Sequence, residues 1–437
     1  MTDPHRPLYH FTPAKNWMND PIPFFWDGVH HIFFQHNPEA PGWGNMHWGH
    51  AVSRDLVHWE ELPIALVPTP GGPDREGVWT GSVVEHDKTF YAFYTGQPGQ
   101  VQCLATSRDL IHWEKHPGNP IIARRPDGYG DCFRDPQVWR EQDAWFMVIG
   151  SEQPDHKGGA ALLYRSENLN EWQYQHPLLL GDVRQTDFEF ECPDFFPLGG
   201  KSVFLSSQNN TWWQTGTYDS GRFTPEHIAP ADGDKFYAAK TLHDRRGRRL
   251  LFGWLREGRS DDEMRTAGWA GVLSLPRQLT LQRDGTLGFA PPSELNALRG
   301  RHQHFEALTV ADGLHVLDGV QGDVLEVLVQ FEPTDTAGIG LSVRCAPDGA
   351  DGVELLYDPR TQRFGNVPLA LDRRDGLALH VYIDRSVIES FANGRACQAR
   401  RTYPTRPDCL HIALCARGGT VRVKSVDVWE MKPLCPA

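Results

Sequence analysis

The sequence predicts an all-β chain in which a five-bladed β-propeller is followed by a C-terminal β-sandwich. Three observations lead to this prediction: an internal repeat, a change of pattern near residue 300, and an uneven distribution of tryptophan. Fourteen of the 15 Trp residues lie within the first 269 of 437 residues, and only Trp429 lies beyond them. Such different aromatic contents predict two segments with different folds.

The internal repeat is an octapeptide that ends in a Trp-containing dipeptide. SRDLVHWE at 53–60 recurs as SRDLIHWE at 107–114 with seven of eight letters identical, and a weaker copy, SENLNEWQ, begins at Ser166. Each copy follows a run rich in β-forming residues and is typical of a turn between strands. Units of about 50–60 residues with about four short strands are typical of propeller blades, and at this period the first part of the chain holds five. We assign packing between blades to the Trp of each copy: Trp59, Trp113 and Trp172.

The pattern changes after Leu295, which defines the predicted domains. Residues 1–295 are predicted to form the propeller, and the polar, helix-permissive stretch 296–304 is predicted to be a linker. From Phe305 onward, apolar and polar residues alternate with period two between regularly spaced turns. This alternation predicts a β-sandwich over 305–437.

Composition and charge exclude several classes of partner. The net charge of −13 argues against a general nucleic-acid binder, and no apolar run is long enough to predict a membrane partner. The N-terminal residues lack the apolar segment of a secretory signal, and the eight Cys include no C-x-x-C pair. We therefore predict reduced thiols and a cytoplasmic protein, with homo-oligomerisation left open.

Three motifs place an acidic residue next to or shortly before proline. They are W-M-N-D-P at 17–21, F-R-D-P at 133–136 and E-F-E-C-P-D at 189–194. Each falls in a different predicted blade, and the inner strands of a propeller converge on a central channel, where such acids could meet. A single D-P pair is usually a turn, so the pattern alone leaves turns and an active site about equally open.

Two carboxyl groups can cleave a glycosidic bond without a metal or a cofactor, and neither is predicted here. One group attacks the anomeric carbon, while the other protonates the leaving oxygen and then activates water. The acid needs a raised pKa to hold its proton near neutral pH, and crowding of carboxylates supplies such a rise.

Further motifs occur together with these three in a specific order. They are Q-H-N-P at 35–38, W-G-N-M-H-W-G-H-A-V-S-R-D-L-V-H-W at 43–59, P-R-Q-L at 276–279 and D-R-S-V-I-E-S-F-A-N-G at 384–394. In this order the sequence resembles glycoside hydrolase family 32, the invertases, levanases and inulinases, over nearly the whole chain. The resemblance implies a five-bladed propeller with a C-terminal β-sandwich, in agreement with the repeat.

The resemblance also implies a retaining β-fructofuranosidase that releases fructose from sucrose or short β-fructans, and therefore a small-molecule or oligosaccharide substrate. It assigns Asp20 as the nucleophile, Glu191 as general acid and then base, and Asp135 as the group that holds two fructose hydroxyls. It assigns substrate binding to eight further residues: Asn19, Gln35, Trp43, Trp79, Thr80, Arg134, Tyr237 and Trp254. For the last two, packing in the core is nearly as good an interpretation.

The sequence departs from the family pattern at three places. Trp79 and Thr80 stand where relatives usually have Phe-Ser, a change that keeps an aromatic wall and a hydroxyl. Ile22 and Pro23 follow Pro21 where relatives usually have Asn-Gly, which predicts an altered loop beside the nucleophile. Lys240 stands where relatives usually have Gln, and is interpreted either as a ligand for an acidic substituent or as a solvated residue of a rim strand. Cys192, beside Glu191, is predicted to be a small apolar neighbour and not a nucleophile.

Three alternative functions remain from the sequence. A fructosyltransferase or a difructose-anhydride-forming or -opening enzyme would use the same site with an alcohol in place of water. A non-catalytic sugar-binding propeller would not need both Asp20 and Glu191. A third alternative is a related hydrolase of arabinose or xylose polymers. W-M-N-D-P and the predicted sandwich argue against it.

Overall fold

A computed structural model describes residues 3–372 and 374–434, and its chain divides into two compact units. The five-sheet unit comprises Thr12–Pro230 and Phe236–Leu287. The two-sheet unit comprises residues 3–11, Ala231–Lys235 and the chain from Gly288 onward. The prediction of an almost entirely β chain is confirmed, since the described residues hold only three short helices: Pro154–His156 and Ser293–Leu298, both 3₁₀, and the α-helix Asp261–Ala267.

The five-sheet unit is built from consecutive groups of strands. The first sheet contains β1 (Asn16–Trp26), β2 (Val29–Asn37), β3 (His47–Ser53) and β4 (Glu60–Leu66), and the second contains β5 (Gly77–His86), β6 (Thr89–Gln97), β7 (Val101–Ser107) and β8 (Trp113–Lys115). The third sheet contains β9 (Phe133–Glu141), β10 (Ala144–Glu152), β11 (Gly159–Ser166) and β12 (Gln173–Leu180). The fourth contains β13 (Glu191–Leu198), β14 (Lys201–Ser207), β15 (Thr211–Asp219) and β16 (Arg222–Pro230). The remaining strands are β17 (Phe236–His243), β18 (Arg249–Leu255), β19 (Trp269–Ala270), β20 (Val272–Leu273), β21 (Arg277–Leu281) and β22 (Leu287–Ala290). They form the fifth sheet, except that β19 pairs in parallel with β1. Only the first residue of β22 belongs to the five-sheet unit.

The first strand of each sheet lies beside the first strand of the next. β1 contacts β5, β5 contacts β9, β9 contacts β13, β13 contacts β17, and β17 contacts β1. These five strands, called the inner strands below, therefore form a closed ring of neighbours.

The repeated octapeptide folds into the same turn in three sheets. The side-chain oxygen of its third residue accepts hydrogen bonds of 2.8–3.0 Å from the backbone N–H groups two and three positions later; these residues are Asp55, Asp109 and Asn168. The leucine that follows has φ of 65–67° in each copy: Leu56, Leu110 and Leu169. The Asx turn stabilises this left-handed leucine, which explains why the motif recurs.

The Trp of each copy packs against an aromatic ring of a neighbouring sheet, which confirms the sequence interpretation. The ring centroids lie 6.2 Å apart for Trp59 and Phe252, 5.8 Å for Trp113 and Phe33, and 5.6 Å for Trp172 and Phe93. All three pairs are edge-to-face, a favourable arrangement for aromatic rings.

The two-sheet unit holds the remaining strands. They are β23 (Arg299–Val310), β24 (Gly313–Val316), β25 (Val324–Phe331), β26 (Gly338–Cys345), β27 (Val353–Asp358), β28 (Arg363–Phe364), β29 (Val367–Pro368), β30 (Ala378–Asp384), β31 (Val387–Ala392), β32 (Ala396–Arg401), β33 (His411–Arg417) and β34 (Val421–Met431). One six-stranded sheet has the order β23-β34-β25-β30-β31-β32, and the other β24-β33-β26-β27-β28-β29. Both contribute to one apolar core, with Val327 and Val329 from the first sheet and Leu341 and Val343 from the second.

The segment 296–304, predicted as a linker, lies in regular structure. The 3₁₀ helix ends at Leu298, and β23 begins at Arg299. Leu295 and Leu298 are buried, which anchors the helix, whereas the residues of β23 up to His304 are exposed or half-buried. The polar composition of residues 299–304 does not predict a strand, because the outer face of the sheet carries polar side chains.

The motif D-R-S-V-I-E-S-F fixes the N-terminal segment within the two-sheet unit. The Asp384 carboxylate accepts hydrogen bonds of 2.7–2.9 Å from the backbone N–H groups of Leu8, Tyr9 and His10. The His10 imidazole lies 2.9 Å from Asp384 through Nδ1 and 3.2 Å from Glu389 through Nε2, and all three side chains are fully buried. Burial alone would lower the pKa of His10, but the hydrogen bonds to the two carboxylates raise it above 6.5.

We expect His10→Ala to destabilise the fold by about 3 kcal/mol, because it leaves two buried carboxylates without their cation. The raised pKa makes this stabilisation complete below about pH 6.5, and it is lost as the pH rises through the folded pKa. Melting temperatures at several pH values should therefore show a larger deficit for the variant at pH 6 than at pH 9. The exposed pair of His58 and Asp55 supplies a control, since His58→Ala should cost little at either pH. A deficit independent of pH would contradict the charged pairing.

The seven described cysteines are all buried, and Cys435 lies outside the described residues. Among the described residues no helix has the length and apolar character needed to cross a membrane.

Candidate active site

Ten of the eleven predicted site residues line one cavity of about 320 Å³ in the five-sheet unit. They are Asn19, Asp20, Gln35, Trp43, Trp79, Arg134, Asp135, Glu191, Tyr237 and Trp254. The eleventh, Thr80, donates a 2.7 Å hydrogen bond from its hydroxyl to the Asp20 carboxylate. The structure thus brings together residues from all five sheets.

A β-bulge near the start of every inner strand carries these residues. The bulged positions are Asp20 in β1, Trp79–Thr80 in β5, Asp135–Pro136 in β9, Cys192–Pro193 in β13 and Ala238–Ala239 in β17. Glu191 and Tyr237 immediately precede the last two. A bulge re-aims side chains, and proline suits it because proline cannot donate a ladder hydrogen bond. Three of the five bulges have proline within them or directly after them. The three acid-proline motifs of the sequence therefore mark bulges of inner strands.

Asp20 is buried and held by neutral donors. Its carboxylate accepts 3.0 Å hydrogen bonds from the side-chain amides of Asn19 and Gln35, besides the bond from Thr80. Burial and, second, the charge of Asp135 raise the pKa of Asp20 above its ordinary value, while the bonds from Thr80 and Asn19 oppose the rise. The donors hold both carboxylate oxygens in fixed positions at the cavity wall.

Asp135 adopts a left-handed conformation, with φ of 65°. Its backbone N–H donates to the Thr95 hydroxyl at 2.9 Å, and its carboxylate accepts from the Cys192 N–H at 2.8 Å. The Cys192 thiol in turn lies 3.5 Å from the Asp20 carboxylate. Cys192 therefore connects the two aspartates, and burial raises the pKa of its thiol well above 9, as expected of a residue that is not a nucleophile.

Glu191 is less enclosed than the aspartates, with 23% of its side chain exposed. One carboxylate oxygen accepts from the Arg134 guanidinium and the other from the Tyr237 hydroxyl. Burial raises the pKa of Glu191 to about 7, although Arg134 and the Tyr237 hydroxyl act to lower it and the charge of Asp135 adds to the rise. Glu191 can thus carry a proton near neutral pH.

Aromatic rings form much of the remaining wall. Tyr237 and Trp254 face each other across β17 and β18 with centroids 6.2 Å apart, and both line the cavity. Trp43 and Trp79 form an edge-to-face pair at 5.9 Å, and Trp43 is 61% exposed. Such an exposed ring beside a polar cavity is suited to stacking on a sugar.

Two buried polar atoms of the cavity wall have no hydrogen-bond partner among the described residues. They are the carbonyl oxygen of the Gln35 side chain and the indole N–H of Trp254.

The departures at Ile22–Pro23 and at Lys240 lie away from this cavity, which corrects their interpretation. Ile22 and Pro23 continue β1 and form no loop beside Asp20. Lys240 is neither solvated nor in the active-site wall: it is 3% exposed, and its Nζ donates to the Pro193 carbonyl at 3.0 Å. All three line a separate cavity of about 480 Å³. The bulges shift the phase of each inner strand, and sequence spacing alone does not reveal that shift.

Sequence reasoning missed the partners that hold the site together. Glu189 accepts a 3.1 Å hydrogen bond from Arg134, and the Gln100 side chain accepts one at 3.3 Å. The E-F-E spacing could have indicated Glu189, since residues two apart point to the same side of an extended chain. Gln100, in a turn between β6 and β7, carries no such signal.

Comparisons with known proteins agree with this geometry. Residues 10–291 match the glycosyl hydrolases family 32 N-terminal domain, and residues 294–430 match the family 32 C-terminal domain. The chain is 35% identical to a sucrose-6-phosphate hydrolase of Zymomonas mobilis (98% of this chain, 92% of the relative) and 31% identical to a raffinose invertase of Escherichia coli (97% and 95%).

Solved structures extend the similarity to the fold. Fructan 1-exohydrolase IIa from Cichorium intybus superposes with a TM-score of 0.90 at 27% identity, covering 99% of this chain and 98% of that one. A β-fructofuranosidase from Bombyx mori gives a TM-score of 0.82 at 28% identity, covering 99% and 95%. From both family domains and these relatives, the chain belongs to glycoside hydrolase family 32 and is a glycosidase.

Proposed function

We propose that this glycosidase releases fructose from sucrose or short β-fructans with retention of configuration, through a covalent fructosyl-enzyme. The observation that carries the proposal is the contrast between two carboxyl groups of one cavity. Burial raises the pKa of Asp20, but its three neutral hydrogen-bond donors stabilise its carboxylate, whereas Glu191 has a pKa of about 7 and can be protonated. Such a pair supplies a nucleophile and an acid at the same pH.

In the first step Glu191 protonates the glycosidic oxygen while Asp20 attacks the anomeric carbon of fructose. The bond to the leaving sugar breaks, its electron pair goes to the protonated oxygen, and an ester forms between Asp20 and fructose. In the second step the Glu191 carboxylate takes a proton from water, which attacks the same carbon and releases Asp20. Each step inverts the configuration, so the product retains it.

Asp135 is proposed to hold two fructose hydroxyls and to stabilise the positive charge that develops on the ring. Its carboxylate is oriented by the Cys192 N–H, so that it needs little reorganisation during the reaction. The exposed ring of Trp43 would stack on the leaving sugar.

The names of the relatives support this substrate class. They are described as hydrolases of sucrose 6-phosphate, an invertase for raffinose and fructan-degrading enzymes. Related structures were solved with 1-kestose and with sucrose. All of these ligands are fructosides. A small cavity that holds the carboxyl groups of Asp20 and Glu191 and an exposed tryptophan is suited to such ligands.

We further propose that the five sheets are five blades of a β-propeller and that the two-sheet unit is a β-sandwich. The closed ring of inner strands supports the first assignment, and the shared core of two six-stranded sheets supports the second. A cytoplasmic location and a homo-oligomer stay predictions.

Incubation with sucrose, inulin, levan and difructose anhydrides, followed over time, tests the function. We expect free fructose as the main new product, and NMR of the earliest time points should detect β-fructofuranose before it equilibrates. Initial release of the α-anomer would contradict retention. Fructosyl oligomers or anhydrides as main products would assign the same site to transfer instead.

A further inference from the structure

Two histidines and an aspartate meet on the outer face of the first sheet of the two-sheet unit. The Asp427 carboxylate oxygen lies 2.9 Å from Nε2 of His302 and 2.7 Å from Nδ1 of His304. One ligand atom from each of the three residues lies within 4.8 Å of the others. Their side chains are between 24% and 43% exposed, so ions in solution can reach them.

The strand register explains this arrangement. His302 and His304 are two residues apart on β23 and point to the same face, and Asp427 on the adjacent β34 is paired with His304. Phe305 and Leu308, on the opposite face of β23, pack against the core. The sheet therefore holds the backbone positions of all three residues.

Neighbouring side chains orient both imidazole rings. Nε2 of His304 lies 2.9 Å from the Glu306 carboxylate and Nδ1 lies 2.7 Å from Asp427, so both nitrogens donate to carboxylates in the metal-free protein. A metal ion bound at Nδ1 would replace the proton there, while Glu306 would keep the proton on Nε2. His302 stacks on Trp429 at 4.5 Å with the rings 9° from parallel, and Trp429 is covered by the Arg299 guanidinium at 3.9 Å. A histidine that bonds a carboxylate through its other nitrogen is the usual arrangement of a metal ligand.

We propose that His302, His304 and Asp427 bind a zinc ion, with Glu306 as the carboxylate that orients His304. Two imidazoles and one carboxylate suit Zn²⁺ and other late divalent transition metals, whereas Mg²⁺ prefers oxygen ligands. In a tetrahedral zinc site the ligand atoms lie about 3.4 Å apart, so small rotations of these exposed side chains suffice. Water completes the coordination. The site contains none of the residues of the active-site cavity and is independent of the proposed hydrolysis.

Calorimetric titration of the untagged, EDTA-treated full-length protein with Zn²⁺ tests the proposal. We expect one ion per chain, no comparable binding of Mg²⁺, and loss of this binding in His304→Ala and Asp427→Asn. Glu306→Gln should retain the site but weaken its affinity by about 10–100-fold. Titration with Co²⁺ should give the visible absorption of a four- or five-coordinate ion in the wild type and not in His304→Ala.

His315→Ala is the matched control, because His315 is also exposed and lies on β24 of the same unit. It should bind Zn²⁺ as the wild type does. All substituted residues are at least partly exposed, and circular dichroism checks that each variant folds. Absence of Zn²⁺ binding by the wild type, or equal binding by the wild type and His304→Ala, would overturn the proposal. The three residues would then form hydrogen-bonded ion pairs only.

Discussion

Asp20→Ala should abolish turnover of sucrose, with kcat lowered by about 10⁴-fold or more, because no group remains to form the covalent intermediate. Asp20→Asn should lose activity to a similar extent while retaining hydrogen-bonding capacity towards Gln35 and Thr80. Since Asp20 is buried with a raised pKa, neutral replacements should leave the fold intact. Initial rates of glucose release and far-UV circular dichroism measure the two effects.

A matched control is Asp55→Ala, which removes an aspartate from the same unit but from the repeated turn. Asp55 is about half exposed and bonds its own turn, so this variant should retain near-wild-type activity. Trapping of a fructosyl adduct on Asp20, detected by mass spectrometry after rapid acid quenching of the wild type, would identify the nucleophile directly. Near-normal turnover by Asp20→Ala would refute the assignment.

The position of the site could be predicted from the sequence because a proline marks three of the five bulges. Pro21, Pro136 and Pro193 lie in or directly after bulges of three inner strands, each next to a carboxylic acid or one residue beyond it. The bulges in β5 and β17 contain Trp79–Thr80 and Ala238–Ala239, which have no such marker. Only the family resemblance identified the site residues that those two strands supply.

The positions of the residues that follow each bulge could not be predicted in the same way. A bulge adds one residue to a strand, so the period-two rule no longer tells which end or face of the sheet a later residue reaches. Lys240 follows the β17 bulge and is buried beside the Pro193 carbonyl, not exposed on a rim. The pairing of His10 with Asp384 and Glu389 was also beyond sequence reasoning, because the residues are more than 370 positions apart.

Glu191→Ala should lower kcat/KM for sucrose by about 10²–10⁴-fold, which is the usual contribution of a general acid. An aryl β-fructofuranoside with a good leaving group needs little protonation, so its first step should be lowered far less. Equal losses for sucrose and for the aryl substrate would contradict the acid role. Azide should partly restore turnover of the aryl substrate, because this anion attacks the fructosyl-enzyme without needing a base.

The pH dependence provides an independent test of the same residue. An acid acts only while protonated, so wild-type kcat/KM for sucrose should fall as the pH rises above about 7, the pKa of Glu191. The residual activity of Glu191→Ala on the aryl substrate should lack this alkaline limb. The Tyr237 hydroxyl lowers the pKa of Glu191 by donating to its carboxylate, so Tyr237→Phe should move the limb to higher pH. A limb that stays in place in Tyr237→Phe and persists in Glu191→Ala would assign the titration to another group.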